Sequence, residues 1–349
     1  MVPQIDRRFV PPIGCAVSAG QPINPGQPGM SYGGPVTPPG TAGPLDDRSH
    51  WVDLDGPVHY LDYGGPAGGP LVVAVHGLGG SAVNWSAVAP LLTGRCRVLA
   101  PDLAGHGLTR PLGRGTRVAP NRMLLHRFVE SVADTPVILM GNSMGGMISL
   151  LEASAEPDAV AGLVLVDPAL PFVPARPDPT VTALFAAYAT PGVARLLMKR
   201  RARLSPEQLV AVTLALCCVD PTRISADVLA QHVAVARRRA DFTDIGGEFI
   251  AAARSVVSTA GLVRGLPYRR GIRTIQAPVL LLHGERDRLV PVAAARAVAR
   301  ANPAWSLVVL PDAGHVPQLE LPAETARVIC DWLDTDGRDA AKSATPASR

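Results

Sequence analysis

The chain is short of lysine, cysteine and aromatic residues, and each shortage excludes something. Only Lys199 and Lys342 are lysines, so the formal net charge of +4 rests on arginine. Aromatic residues fill 4% of the 349 positions. A nucleic-acid surface would interleave basic and aromatic side chains, and no such stripe occurs. The five cysteines (Cys15, Cys96, Cys217, Cys218, Cys330) are odd in number and scattered, which excludes a disulfide framework and a zinc-type spacing. Cys96 and Cys330 read instead as small buried apolar residues. No run approaches the roughly 20 apolar residues that span a bilayer; the longest, Leu209 to Val219, falls well short. Pro3, Asp6, Arg7 and Arg8 interrupt the stretch where a secretory signal needs its apolar core. These absences predict a cytoplasmic protein with no nucleic-acid partner, no transmembrane segment, no metal and no cofactor, and they leave a homo-oligomer open.

What is present is a globular composition, 47% hydrophobic and 18% charged. The length accommodates one large α/β domain with a smaller insert. Residues 1–48 are dominated by proline, glycine and small polar side chains, which cannot bury enough apolar area to offset ordering entropy. They are predicted to be disordered, and Met30 offers an alternative start. From Trp51 to Tyr63 the pattern alternates around Asp55-Gly56, a hairpin signal. Short β-branched runs then alternate with helix-compatible ones: strands at Leu71–Val75, Cys96–Ala100, Val137–Met140, Val160–Val166, Pro278–Gly284 and Trp305–Leu310, helices at Asn84–Leu92, Asn121–Ala133, Met147–Ala155, Val292–Arg300 and Ala323–Leu333. That alternation predicts an α/β fold, a mostly parallel sheet flanked by helices. Between Pro171 and Arg273 it stops, giving way to helix-like runs at Val181–Tyr188, Val193–Arg203, Pro206–Cys218, Ser225–Arg239 and Glu248–Val257. The predicted organisation is a core of 49–170 and 274–334, a helical cap of 171–273 and a flexible tail of 335–349.

Chemistry concentrates at strand ends. Val137 to Met140 runs into Gly141-Asn142-Ser143-Met144-Gly145-Gly146 and then a helix. This is the G-x-S-x-G pattern of a strand-to-helix turn that lifts a serine above the sheet edge. A solvated serine in a small-residue turn satisfies the same five residues, so its partners must decide. A serine nucleophile needs a base, and the base needs an orienting acid. Asp287 follows the strand ending at Gly284, and His315 follows the strand ending at Leu310. Glu285 and Asp167 are rival acids, the latter at the end of the strand after the serine turn. Upstream, Leu71–Val75 runs into His76-Gly77-Leu78-Gly79-Gly80, whose glycines let backbone N–H groups face an anion.

With these motifs in the order Ser143, Asp287, His315, the chain resembles the serine α/β-hydrolase fold family over roughly Trp51 to Leu333, apart from much of the helical insert. The resemblance implies the triad Ser143–His315–Asp287, favoured by the spacing Gly284-x-x-Asp287-x-x-Val290-Pro291. It further implies an oxyanion hole from the N–H groups of Leu78 and Met144, and a helical cap after the sixth strand. Pro101-Asp102-Leu103-Ala104-Gly105-His106-Gly107-Leu108-Thr109 resembles another family loop. A serine at the turn excludes the branches that use an aspartate nucleophile. The implied activity is hydrolysis of a carboxylic ester on a small acyl substrate, through an acyl-enzyme.

The turn is also similar to that of the meta-cleavage C–C hydrolases, where the asparagine before the nucleophile and a cap arginine hold a substrate carboxylate. That similarity implies a substrate contact at Asn142; Gly77 in the oxyanion loop and Val316 after the histidine are further candidate contacts. Two departures favour the ester: the short His76–Gly80 loop, and Val316 where those enzymes carry tryptophan. A non-catalytic binding protein of the same fold would normally have lost a triad member. In the cap, Arg195, Lys199, Arg200, Arg201 and Arg203 read as either an attractor of anionic substrates or a solvated helix face. Leu184, Phe185, Leu196, Leu197, Met198 and Leu214 read as either pocket or cap core.

Overall fold

The strand sequences are apolar at consecutive positions, so a sheet built from them must be covered on both faces. The computed structural model describes residues 46–173, 178–242 and 245–337; the segments predicted to be disordered at 1–48 and flexible at 335–349 lie outside them apart from 46–48, which form a 3-10 turn, and 335–337. Eight strands form one sheet: β1 (Ser49–Asp53), β2 (Pro57–Gly64), β3 (Leu71–Val75), β4 (Arg97–Pro101), β5 (Val137–Asn142), β6 (Val160–Val166), β7 (Val279–Gly284) and β8 (Ser306–Leu310). Their order is β1-β2-β4-β3-β5-β6-β7-β8. The β1–β2 and β2–β4 pairs are antiparallel and all others parallel. The predicted hairpin turns at Asp55 and Gly56, with φ of 56° and 111°.

Alternate residues divide the interior. Val73, Val75, Leu139 and Leu163 join one core cluster, while Val72, Ala74, Ile138 and Val164 join the other. Flanking these are α1 (Ala89–Leu92), α2 (Val118–Val132), α3 (Met144–Ala155), α10 (Val292–Ala301), α11 (Pro317–Glu320) and α12 (Pro322–Asp334). Between β6 and β7 come α4 (Pro179–Ala189), α5 (Pro191–Arg201), α6 (Pro206–Cys217), α7 (Ala226–Arg239), α8 (Ile245–Ala260) and α9 (Leu266–Ile272). Among the described residues no single helix is long and apolar enough to cross a membrane.

Some elements differ from expectation. The helix predicted over Asn84–Leu92 breaks into a 3-10 turn at Ala82–Trp85 and the single turn α1. Pro90 has no N–H for a continuous helix and would clash with the preceding turn. Another is α9, which the sequence reading passed over. It has only seven residues, yet Tyr268 and Ile272 sit in the core cluster that α3 also joins, and the Tyr268 hydroxyl donates to the Ala169 carbonyl at 3.0 Å.

Because β4 and β5 flank β3 on opposite sides, the chain reverses direction across the sheet there. Open α/β sheets bind ligands beyond the carboxyl ends of strands at such a reversal. The loops after β3, β5, β6, β7 and β8 gather at that edge.

Candidate active site

Ser143 links β5 to α3 with φ 53° and ψ −117°, in the left-handed region that non-glycine residues avoid. Such a conformation costs on the order of 1–3 kcal/mol and persists only where its surroundings enforce it. Here the Ser143 N–H donates to Val166 at 3.2 Å, and its carbonyl accepts from Met147 at 3.0 Å and Ala169 at 2.9 Å. The flanking glycines are required by close approach. A Cβ on Gly145 would lie 2.1 Å from the Val75 carbonyl oxygen, and one on Gly141 would lie 2.6 Å from the Cα of Gly146. Met144 opens α3, where an N–H has no intrahelical acceptor and the helix presents partial positive charge. Leu78 and Gly77 lie across from the serine, a Cβ on Gly77 falling 3.1 Å from Ser143 Cβ.

The loop after β8 delivers His315. Its ring Nδ1 lies 2.7 Å from Asp287 Oδ2, and its backbone N–H donates to the Cys217 carbonyl at 2.7 Å. Asp287 Oδ1 accepts the N–H groups of Leu289 at 2.8 Å and Val290 at 3.1 Å. Burial works to raise the Asp287 carboxyl, but the adjacent His315 charge and its hydrogen bond outweigh it and hold the group below the usual carboxylate range. Asp167 is fully buried with φ 45°, and Oδ1 accepts the Gly284 N–H at 2.8 Å. Burial and the neighbouring Asp287 charge push its carboxyl well above the usual carboxylate range. Glu285 is exposed and pairs with Arg296 at 3.2 Å. Of the three candidate acids, therefore, Asp287 alone hydrogen-bonds His315.

His283 Nε2 lies 3.5 Å from a carboxylate oxygen of both Asp167 and Asp287. These three form the one group among the described residues whose donor atoms approach closely enough for a metal ion. Asp287 Oδ2 already accepts His315 and His283 Nε2 lies 2.9 Å from the Val290 carbonyl, so the protein occupies these atoms itself.

Ser143, His315, Leu78, Gly77, Asn142 and Val316 all line one cavity of about 2160 Å³. The Ser143 hydroxyl and the His315 ring make no hydrogen bond to each other in this state, and such contacts commonly tighten when substrate binds. Asn142, read from sequence as a substrate contact, uses its amide inside the protein. Nδ2 donates to the Val166 carbonyl at 2.9 Å and to the His315 carbonyl at 3.0 Å, tying the serine turn to the histidine loop. Val316 is buried and packs with Leu214, Cys218, Ile224, Val228 and Leu319.

Of the six apolar cap residues singled out, Leu184, Phe185, Met198 and Leu214 line the cavity, while Leu196 is exposed. In the basic cluster Arg195, Lys199 and Arg201 line it, and Arg201 lies 5.4 Å over the Phe249 ring. Arg239 docks α7 on the loop after β4, donating to Gly107 at 2.5 Å and Gly105 at 2.9 Å.

Sequence reasoning also missed a second buried relay: His59 Nδ1 lies 2.6 Å from Asp102 Oδ2, and His59 Nε2 lies 2.8 Å from Ser49 Oγ. The Asp102 in the predicted family loop was the one available hint.

An eight-stranded, mostly parallel sheet with a serine turn at its carboxyl edge defines a hydrolase of α/β architecture. A model of the alpha/beta hydrolase family matches residues 72–328, and the chain belongs to that family of enzymes. It is 30% identical over 271 residues to the pimeloyl-[acyl-carrier protein] methyl ester esterase of Aromatoleum aromaticum, covering 75% of this chain and 97% of the relative. To the 2-hydroxy-6-oxononadienedioate/2-hydroxy-6-oxononatrienedioate hydrolase 2 of Pseudomonas putida it is 28% identical over 291 residues, covering 80% and 93%. Among solved structures, a membrane phospholipase A superposes with a TM-score of 0.65 at 27% identity, covering 83% of this chain and 86% of that one.

Proposed function

We propose that the protein hydrolyses a carboxylic ester through an acyl-enzyme on Ser143. The observation that carries this reading is the strained Ser143 at the N-terminus of α3, opening into a cavity that the Asp287-bound His315 also lines. In this mechanism His315 Nε2 takes the hydroxyl proton as Ser143 Oγ attacks the ester carbonyl. Asp287 holds the proton-bearing Nδ1 and stabilises the imidazolium. The N–H groups of Leu78 and Met144 stabilise the oxyanion, and His315 returns the proton to the leaving alcohol. Water then adds to the acyl-enzyme by the same route and releases the acid. Ligand pockets commonly measure about 300–1,000 Å³, so a cavity of about 2160 Å³ lined by Leu184, Phe185, Met198 and Leu214 has room for an extended acyl chain.

The Pseudomonas putida relative keeps C–C hydrolysis as the second reading. Against it stands Asn142, both of whose amide hydrogens are engaged by protein carbonyls. A panel of p-nitrophenyl esters of increasing acyl length, run beside a dienoate C–C substrate, separates the two. The expected result is ester turnover that improves with acyl length and no dienoate cleavage. Faster dienoate cleavage, or no ester turnover at any length, would overturn the ester reading.

A further inference from the structure

One exposed surface of the region between β6 and β7 gathers apolar and basic residues. The turn between α8 and α9 presents Leu262 and Val263, the most exposed large apolar residues of the described chain at 67% and 79%. Exposed Phe172 and Leu266 flank them. The segments are joined: the Phe172 N–H donates to the Ala260 carbonyl at 2.9 Å, and Arg269 donates to the Phe172 carbonyl at 2.5 Å. Isolated exposed apolar residues are ordinary, whereas several in one place mark an interaction site.

Charge accompanies this patch. From Phe249 to Gly284 the chain has five arginines (254, 264, 269, 270 and 273) and no aspartate or glutamate. Tyr268 and Ile272 form the buried side of α9, while Leu266, Arg270 and Arg273 recur on its exposed side at the spacing of one helical face. The cavity reaches the surface here as well, since Phe172 and Arg264 both line it and are exposed.

We propose that this patch docks the protein on an anionic lipid surface, with Leu262 and Val263 entering the acyl–headgroup boundary and Arg270 and Arg273 against acidic headgroups. Apolar insertion combined with basic residues is what interfacial binding requires. The exposed pair projects from a tight turn instead of lining a groove, which suits a fluid layer better than the fixed relief of a protein partner. Docking here sets the part of the cavity lined by Phe172 and Arg264 against the lipid phase. That consequence deepens the ester-hydrolase reading and rests on it; the docking itself does not.

The test is cosedimentation of the full chain with vesicles of phosphatidylcholine, alone or mixed with phosphatidylglycerol. Wild type is expected to bind the mixed vesicles far more strongly than the neutral ones, and added salt should weaken that binding. Arg270→Gln with Arg273→Gln should weaken binding to mixed vesicles by roughly 30-fold, at about fivefold per cation. Leu262→Ser with Val263→Ser should abolish it, and both variants should melt like wild type. Wild type that stays in solution with mixed vesicles overturns the proposal, as does either double variant binding like wild type. An acidic protein that competes in solution while vesicles do not would assign the patch to a protein partner and also overturn it. A chain that docks but cleaves no ester leaves docking intact and removes the ester reading; ester turnover without docking does the reverse.

Discussion

Two Ser, His and Asp groups stand out among the described residues, and the one fully joined by hydrogen bonds is not the one at the cavity. In the first, Ser49 Oγ lies 2.8 Å from His59 Nε2, and His59 Nδ1 lies 2.6 Å from Asp102. In the second, His315 Nδ1 lies 2.7 Å from Asp287, with no bond yet made to Ser143. Their surroundings differ. Ser49 sits on an edge strand in register with Leu61. Asp102 also accepts the N–H groups of Ala82 at 2.6 Å and Leu108 at 2.7 Å, so this relay bolts the hairpin to the loops after β3 and β4. Ser143 instead has strained backbone, a helix N-terminus beneath it and a cavity in front. Three side chains in a row do not make a nucleophile. Access to a cavity and a helix N-terminus beside the hydroxyl set Ser143 apart from Ser49.

The largest effect expected from this contrast is on turnover. Asp287→Asn should lower kcat by about 10³–10⁴-fold, the scale of losing a triad aspartate. Steady-state kinetics on a responsive ester checks it, and an equal loss in Asp102→Ala without unfolding would break the comparison. Next in size, Asp102→Ala should destabilise the fold by about 3–5 kcal/mol, because it leaves buried partners of a charge uncompensated. Denaturant melts would register that loss. Burial works to raise the Asp102 carboxyl, but the His59 charge and hydrogen bond hold it below the usual range. A depressed folded-state pKa gives stability that is present above the unfolded value of about 3.9 and lost as pH falls through the folded one. The gap between wild type and Asp102→Ala should therefore narrow in acid, below about pH 4.

A smaller effect sharpens the choice of acid. Asp167 has a raised folded-state pKa, so the native state holds a proton that the unfolded chain releases above about pH 4, and its contribution to stability declines as pH rises. Asp167→Asn keeps the shape without the titration. Its melting temperature should exceed that of wild type at neutral pH, the gain shrinking near pH 4, with kcat changed far less than in Asp287→Asn. If kcat collapses instead, the orienting acid lies after β6. The smallest expected change belongs to Ser49→Ala, about 1 kcal/mol or less for one partly buried hydrogen bond, with ester turnover untouched.

What the sequence made legible was local. The strand runs, the Asp55-Gly56 turn and the motifs around Ser143, Asp287 and His315 each occupy a few consecutive residues with a recognisable period or spacing. The missed features join distant segments. His59 and Asp102 are 43 residues apart, and Asn142 meets the His315 carbonyl across 173. A local motif can mark one partner, as around Asp102 or Asn142, but not the distant group it meets. The short helix α9 was hidden because seven residues hold too few apolar positions to establish a helical period. Arg239 sat inside a basic run whose members differ in fate: Arg237 pairs with Glu207 at the surface, while Arg239 is drawn inward to two backbone carbonyls. Val316 was placed at the cavity by its position after the histidine, but its packing against Leu214 and Leu319 lay beyond any sequence pattern.

The central claim is that surroundings, not the relay itself, select the nucleophile. Fluorophosphonate labelling of wild type, Ser143→Ala and Ser49→Ala tests it most directly, with the labelled peptide read by mass spectrometry. The account expects one adduct on Ser143 in wild type, none in Ser143→Ala, and wild-type labelling in Ser49→Ala. Labelling that survives in Ser143→Ala and disappears in Ser49→Ala would contradict it.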